Sequence, residues 1–126
     1  MNAPESFLVG ETHASYRPEK QVTLQEAFDL VGGAIEFARK NQIERLLVDT
    51  TNLTGFESPG VWQRFTMGKL FVEKAKAQVK VALVARTEVI DREKFGLTVA
   101  RNRGLLGEVF DSDTDALRWL LDPHAR

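Results

Sequence analysis

Apolar residues recur at two different spacings along this chain, and each change of spacing marks an element. Leu24, Phe28, Val31, Ile35 and Ala38 fall three or four positions apart, while Gln25, Asp29, Glu36, Arg39 and Lys40 fill the intervening face. That period predicts an amphipathic helix lying on a core. Its start is written in Thr23-Leu24-Gln25-Glu26, a capping box. In such a box the threonine hydroxyl accepts from an orphan amide and the glutamate reaches back to the cap. Gly32-Gly33 inside the helix costs about 1 kcal/mol per glycine relative to alanine, which suggests close packing against a sheet.

Elsewhere the apolar residues are consecutive. Leu46-Leu47-Val48, inside Arg45–Asp49, and the run 79–85 read as strands of a parallel sheet covered on both faces. Between them, Ser58-Pro59 predicts a second helix, with Ser58 at the cap and Pro59 at the first helical position. Its inner stripe is read as Val61, Phe65, Gly68, Val72 and Ala75. A third helix is expected from Asp91 to about Arg103, closed by Gly104 at the left-handed exit position. Residues 108–110 read as a short strand, and Ser112 caps a last helix through Leu121 that Pro123 stops. Residues 6–22 read as extended, with short strands at 7–9 and 12–16, the second ended by Pro18. Strands alternating with helices predict an α/β fold: a mixed, mainly parallel sheet of four to five strands with four helices and right-handed crossovers.

Neither a repeat nor a low-complexity linker interrupts the 126 residues, so one domain over 1–126 is expected, with 1–5 and 122–126 as loose ends. Seventeen basic residues against eighteen acidic leave a formal charge of −1, which provides no global drive toward nucleic acid or an anionic membrane. The absence of cysteine excludes disulfides, a thiol nucleophile and thiolate metal sites, and fits a reducing cytosol. Met1-Asn2-Ala3-Pro4-Glu5 has neither the basic nor the apolar region of a signal peptide. No apolar run approaches the ~18 residues of a membrane span. These features predict a soluble, cytoplasmic protein.

Four segments carry a resemblance. They are the capped Thr23-Leu24-Gln25-Glu26-Ala27 helix start; Leu47-Val48-Asp49-Thr50-Thr51-Asn52-Leu53 at a strand exit; Ser58-Pro59-Gly60; and Val109-Phe110 followed by Ala116-Leu117-Arg118-Trp119-Leu120. In order and spacing the chain resembles the SpoIIAA-like fold of STAS domains, the small bacterial members in particular. That superfamily is similar in fold to the CRAL-TRIO lipid-transfer domains. In anti-sigma-factor antagonists an aspartate ends the strand, and an Asp-Ser-Ser-Gly element carries the serine that a partner kinase phosphorylates. By that resemblance Asp49 matches the strand-end aspartate and Ser58 the phospho-acceptor. Glu57 stands in place of the aspartate, and Pro59 replaces the second serine, removing a backbone donor.

What the resemblance implies is a non-enzymatic regulatory or protein-interaction module. Its working surface would be the loop 50–60, with Asp49, Thr50, Thr51, Glu57 and Trp62 as recognition residues. The alternative it implies is a small-molecule, lipid or anion-binding module. For each candidate a plainer role stands beside the functional one. Ser58 is a helix cap, worth about 1 kcal/mol, whether or not it is also a switch. Asp49 tethers the following loop amides more readily than it serves as a base or Mg²⁺ ligand, since it has no partner carboxylate at a suitable spacing. Arg86, Arg101 and Arg103, with Arg92 and Lys94, form a local anion patch or a solvated helix face. The patch lacks interleaved aromatics, so single-stranded nucleic acid is not expected. Trp62 and Leu70 lie off the inner stripe of the second helix and point to a protein partner, a second copy of the chain or a neighbouring helix. His13 and His124 have no metal-ligand spacing. No phosphate loop, zinc motif or nucleophile elbow is present, so no catalytic residue, metal or cofactor is assigned.

Overall fold

The computed structural model describes residues 3–90 and 94–125, Phe95 by its backbone alone. In chain order the strands are β1 (Phe7–Val9), β2 (Ala14–Tyr16), β3 (Lys20–Gln21), β4 (Arg45–Asp49), β5 (Leu53–Thr54), β6 (Lys80–Val84) and β7 (Leu106–Phe110). The helices are α1 (Leu24–Lys40), α2 (Val61–Ala75), α3 (Phe95–Asn102) and α4 (Asp113–Leu121). The consecutive apolar runs became the adjacent central strands β4 and β6, paired in parallel from Arg45 opposite Lys80 to Asp49 opposite Val84.

Five strands form one sheet in the order β1-β2-β4-β6-β7, parallel except for the β1–β2 hairpin at one edge. This is the expected α/β architecture of four helices on a mixed, mainly parallel sheet. The order β2, β4, β6, β7 advances in one direction, so crossovers of a single hand put α1, α2 and α3 on the same face. The side chains agree. Leu46, Val48 and Val81 join Ile35 of α1, Phe71 of α2 and Ala100 of α3 in the larger core. Leu47, Ala82 and Val84 face the other way and meet Ala116 and Leu120 of α4. Each central strand is therefore apolar on both faces, which explains its unbroken hydrophobic run.

Capping at α1 and α4 follows the sequence. Glu26 N donates to Thr23 Oγ1 at 3.1 Å and Thr23 N to Glu26 Oε1 at 3.0 Å, while Ser112 Oγ accepts from Asp115 N at 3.3 Å. Gly104 closes the end of α3 with φ of 100°.

At α2 the structure departs from the expectation. Gly60, not Ser58, is the cap residue, and the helix begins at Val61. Gly60 N donates to Gln63 Oε1 at 2.7 Å, whereas Ser58 Oγ is taken by the Arg64 side chain at 3.0 Å. Pro59 lies outside the helix and is buried. The inner stripe is correspondingly rotated to Gly68, Phe71 and Ala75, with Val61 57% exposed. The reason is that α2 lies between two helices, so its flanks need apolar residues as well as its base. A side chain on Gly32 would meet Leu70 Cδ2 at 3.2 Å, so this glycine allows close approach of α2 rather than of the sheet. Leu70 thereby finds its neighbouring helix. On the opposite flank, a Cβ on Gly96 would come within 2.8 Å of Arg64 O, and one on Gly68 within 3.0 Å of Gly96 O. Backbone thus meets backbone where α2 crosses α3.

Described residues of α3 begin at Phe95, preceded by Lys94 in the left-handed region with φ of 49°. The helix start expected at Asp91, and Arg92 with it, lie outside the described residues. The two-residue strands β3 and β5 pair with each other in parallel and were not anticipated.

Candidate functional site

β4 and β6 end side by side, and both chains turn above the same end of the sheet. Thr50 holds the first turn, its N and Oγ1 donating to Val84 O at 2.8 and 2.9 Å. Asp49, only 8% exposed, accepts at Oδ1 from Thr51 N at 2.9 Å and Thr51 Oγ1 at 2.6 Å. Its Oδ2 accepts from Arg17 Nη1 at 3.0 Å, and the same nitrogen reaches Asp113 at the start of α4. Three donors thus occupy the Asp49 carboxylate. It ties the loop to the strand end, as expected of an aspartate in that position.

The loop 50–60 then runs over the end of α1. Leu53 is buried with Val22 and Ala27, and Phe56 packs against that group. From the first turn of α2, Arg64 reaches back under the loop. Its Nε donates to Pro59 O at 3.0 Å and its Nη2 to both Ser58 Oγ at 3.0 Å and Val89 O at 2.8 Å. The guanidinium therefore stitches the loop before α2 to the turn after β6.

Beneath this stitch lies an apolar cavity of about 90 Å³. Phe28 and Val31 of α1, Phe71 of α2, Leu83 of β6 and Leu97 of α3 form much of its wall, and Leu53 with Pro59 closes the loop side. A second cavity of about 40 Å³ runs under α3 and shares Met67, Phe71, Leu83 and Leu97 with the first. Together they occupy the space between three helices and the C-terminal ends of parallel strands, where open α/β sheets bind their ligands. A third depression, of about 520 Å³, is a shallow polar groove at the opposite end of the strands, near Arg45, Lys80 and Pro123.

The residues singled out from sequence divide into two groups. Asp49, Thr50 and Thr51 build the strand exit, Thr50 lines the cavity, and Ser58 contacts Arg64 at its lip. Glu57 is exposed, and Trp62 is 81% exposed on the outer side of α2. The three arginines do not form one patch. Arg86 sits beyond β6 with Glu88 at 3.7 Å, Arg101 pairs with Glu108 at 3.1 Å, and the Arg103 guanidinium lies over the Phe65 ring at 5.3 Å. Arg86 precedes the turn after β6, whereas Arg101 lies in the last turn of α3 and Arg103 caps its end. Arg64 was missed from sequence, because its importance comes from a contact with Val89, 25 positions away.

Neither histidine joins the cavity. His13 is hydrogen bonded to Thr12 at 2.8 Å, and burial, then the nearby Arg17 charge, lower its pKa. No group of acidic residues and histidines among the described residues is arranged to hold a metal ion, and no described helix is long and apolar enough to cross a membrane.

No family model matches the chain, and no curated protein matches it. Among solved structures, the chain is similar to an uncharacterized protein from the DUF3478 family of Shewanella loihica PV-4, described as having a SpoIIAA-like fold. The two share 21% sequence identity over 86% of this chain and 83% of the other, with a TM-score of 0.45.

Proposed function

We propose that the protein is a non-enzymatic binding module for a small molecule with an apolar body. The observation that carries this reading is the cavity of about 90 Å³ under the ends of β4 and β6. Protein interiors are packed to crystal density, and voids larger than a water are few. A hole among leucine, valine and phenylalanine side chains forfeits contacts and destabilises the fold. It is well above the ~10–15 Å³ that admits one water, and its lining is mostly apolar. An apolar ligand would restore the missing contacts. The module reading also accords with the Asp49 carboxylate, which is engaged by Arg17 and Thr51.

Methyl NMR tests the proposal directly. Titration with a series of neutral and anionic alkyl compounds should shift the methyl signals of Val31, Met67, Leu83 and Leu97. Those of Leu47 and Leu120, on the other face of the sheet, should stay in place. Shifts confined to the second set, or none with any compound, would remove the reading.

A second reading is favoured by two separate features. Val61 and Trp62 are exposed by 57% and 81%, an apolar pair open to a protein partner or a second copy of the chain. Ser58 lies within hydrogen-bond reach of Arg64, so a phosphate there would meet a guanidinium without needing the helix-cap position. Phosphopeptide mass spectrometry on protein from its native cells should then find Ser58 modified under some growth condition. An unmodified Ser58 throughout would discard the switch.

A further inference from the structure

We infer that the ligand of this cavity is a single-tailed carboxylate, its head on Arg64 and its tail among α1, α2 and α3. This rests on the cavity being a small-molecule site and names the ligand's chemistry. The first argument is the sign of the charges. Among the described residues of the wall, only Arg64 and Lys94 are ionisable, and both are cations. A cavity lined by charge of one sign favours an opposite charge at its mouth.

The two cations are not equivalent. Lys94 Nζ is 3.0 Å from Glu108 Oε1 and so has a carboxylate already. Among the described residues Arg64 has none: its three acceptors are Pro59 O, Ser58 Oγ and Val89 O, all neutral. Those bonds use its Nε and both N–H bonds of Nη2, which leaves Nη1 without an acceptor among the described residues. A half-buried guanidinium with neutral neighbours gains much from an anion. It is also held in place by the contacts it has, so little side-chain freedom is lost when a ligand binds. One cation without a carboxylate among the described residues calls for a monoanion, and a carboxylate fits the guanidinium plane.

The tail has room to continue. Met67 and Leu97 stand between the larger cavity and the one under α3, lining both. An unbranched thioether such as Met67 adapts to a neighbour more readily than a branched side chain. A flexible alkyl chain entering past Arg64 would therefore pass from the first cavity into the second.

Calorimetry with decanoate, decanol and acetate, each below any micelle concentration, separates head from tail. Decanoate should bind at least tenfold more tightly than decanol, and acetate too weakly to measure. Arg64→Gln should abolish the preference for decanoate over decanol, a ratio read within one variant and so insensitive to its stability. Leu97→Phe should weaken both tailed compounds together. Equal binding of decanoate and decanol to the unaltered protein would overturn the carboxylate assignment and leave the cavity reading standing, as would an Arg64→Gln variant that kept the preference. Failure of both tailed compounds to bind the folded protein would sink the cavity reading as well.

Discussion

The two faces of the sheet are made from alternate residues of the same strands, yet they are finished differently. On one face a single helix, α4, sets Ala116 and Leu120, both 0% exposed, directly onto Leu47, Ala82 and Val84. Phe110 and Trp119 close the rim, their rings 5.8 Å apart. Lys80 ties down the far end of α4 through Trp119 O and Asp122 O, with its ammonium 4.5 Å from the Trp119 ring. On the other face three helices supply a larger core that is filled near β2 and hollow near the ends of β4 and β6. More apolar residues did not produce denser packing. Where α2 meets α3 at Gly68 and Gly96 the spacing is set by backbone, so side chains nearby cannot draw the helices closer. The hollow is thus a property of how the elements meet, and its position at the strand ends is what makes it a site.

Truncation should expose this contrast most strongly. Leu120→Ala removes a fully buried side chain from a filled interface and should cost about 3 kcal/mol. Leu83→Ala removes a partly buried side chain that already borders two cavities and so has fewer contacts to lose. It should cost about 1–2 kcal/mol. Urea unfolding of both variants measures the difference. Equal costs would mean that the hollow closes in solution.

Enlargement should reverse the order. Ala116→Leu forces extra methylenes between α4 and the sheet and should destabilise by about 1–3 kcal/mol. Leu97→Phe grows into existing space, so it should be neutral or stabilising by up to ~1 kcal/mol. Urea unfolding of the two variants would show the faces to be equivalent if both lost stability alike.

These contrasts also show what could be read from the chain beforehand. The central strands and the capped ends of α1 and α4 were legible because their causes are local: a consecutive apolar run, or a hydroxyl three residues before the amide it caps. The loop before α2 was misread for the opposite reason. Ser58-Pro59 has the local form of a helix start, but Arg64 claims the serine and Val89 claims Arg64. Neither contact leaves a periodic trace in sequence. β3 and β5 escaped notice because two residues are too few to show alternation. Of the site, the strand exit around Asp49 was readable, whereas the cavity was not, since a void belongs to the spacing of α1, α2 and α3. The expected arginine patch was divided similarly: Arg86, Arg101 and Arg103 each sit against a different partner, Glu88, Glu108 and the Phe65 ring.

The smallest contrast concerns the caps of the two faces. Thr23 and Glu26 form a reciprocal pair at α1, which walls the cavity, while Ser112 at α4 makes one longer bond. Thr23→Ala should therefore cost about 1 kcal/mol and Ser112→Ala less. Acid adds a signature that only α1 carries. Hydrogen bonds from Thr23, first from its backbone and then from its side chain, hold the Glu26 carboxyl below its ordinary value of 4.5. A carboxyl with a lowered folded pKa contributes stability that is complete above its unfolded value and lost as pH falls through the folded one. Urea midpoints of the unaltered protein and Glu26→Gln should therefore differ at pH 6 and converge as pH drops below about 4.5. In a Thr23→Ala background that pH-dependent difference should shrink, because the side-chain hydrogen bond that Thr23 contributes to the Glu26 carboxyl is gone. A Ser112→Ala background should retain it in full, since that cap lies on the opposite face and shares no bond with Glu26. Retention in both backgrounds would show that the acid response arises elsewhere than in the α1 capping box.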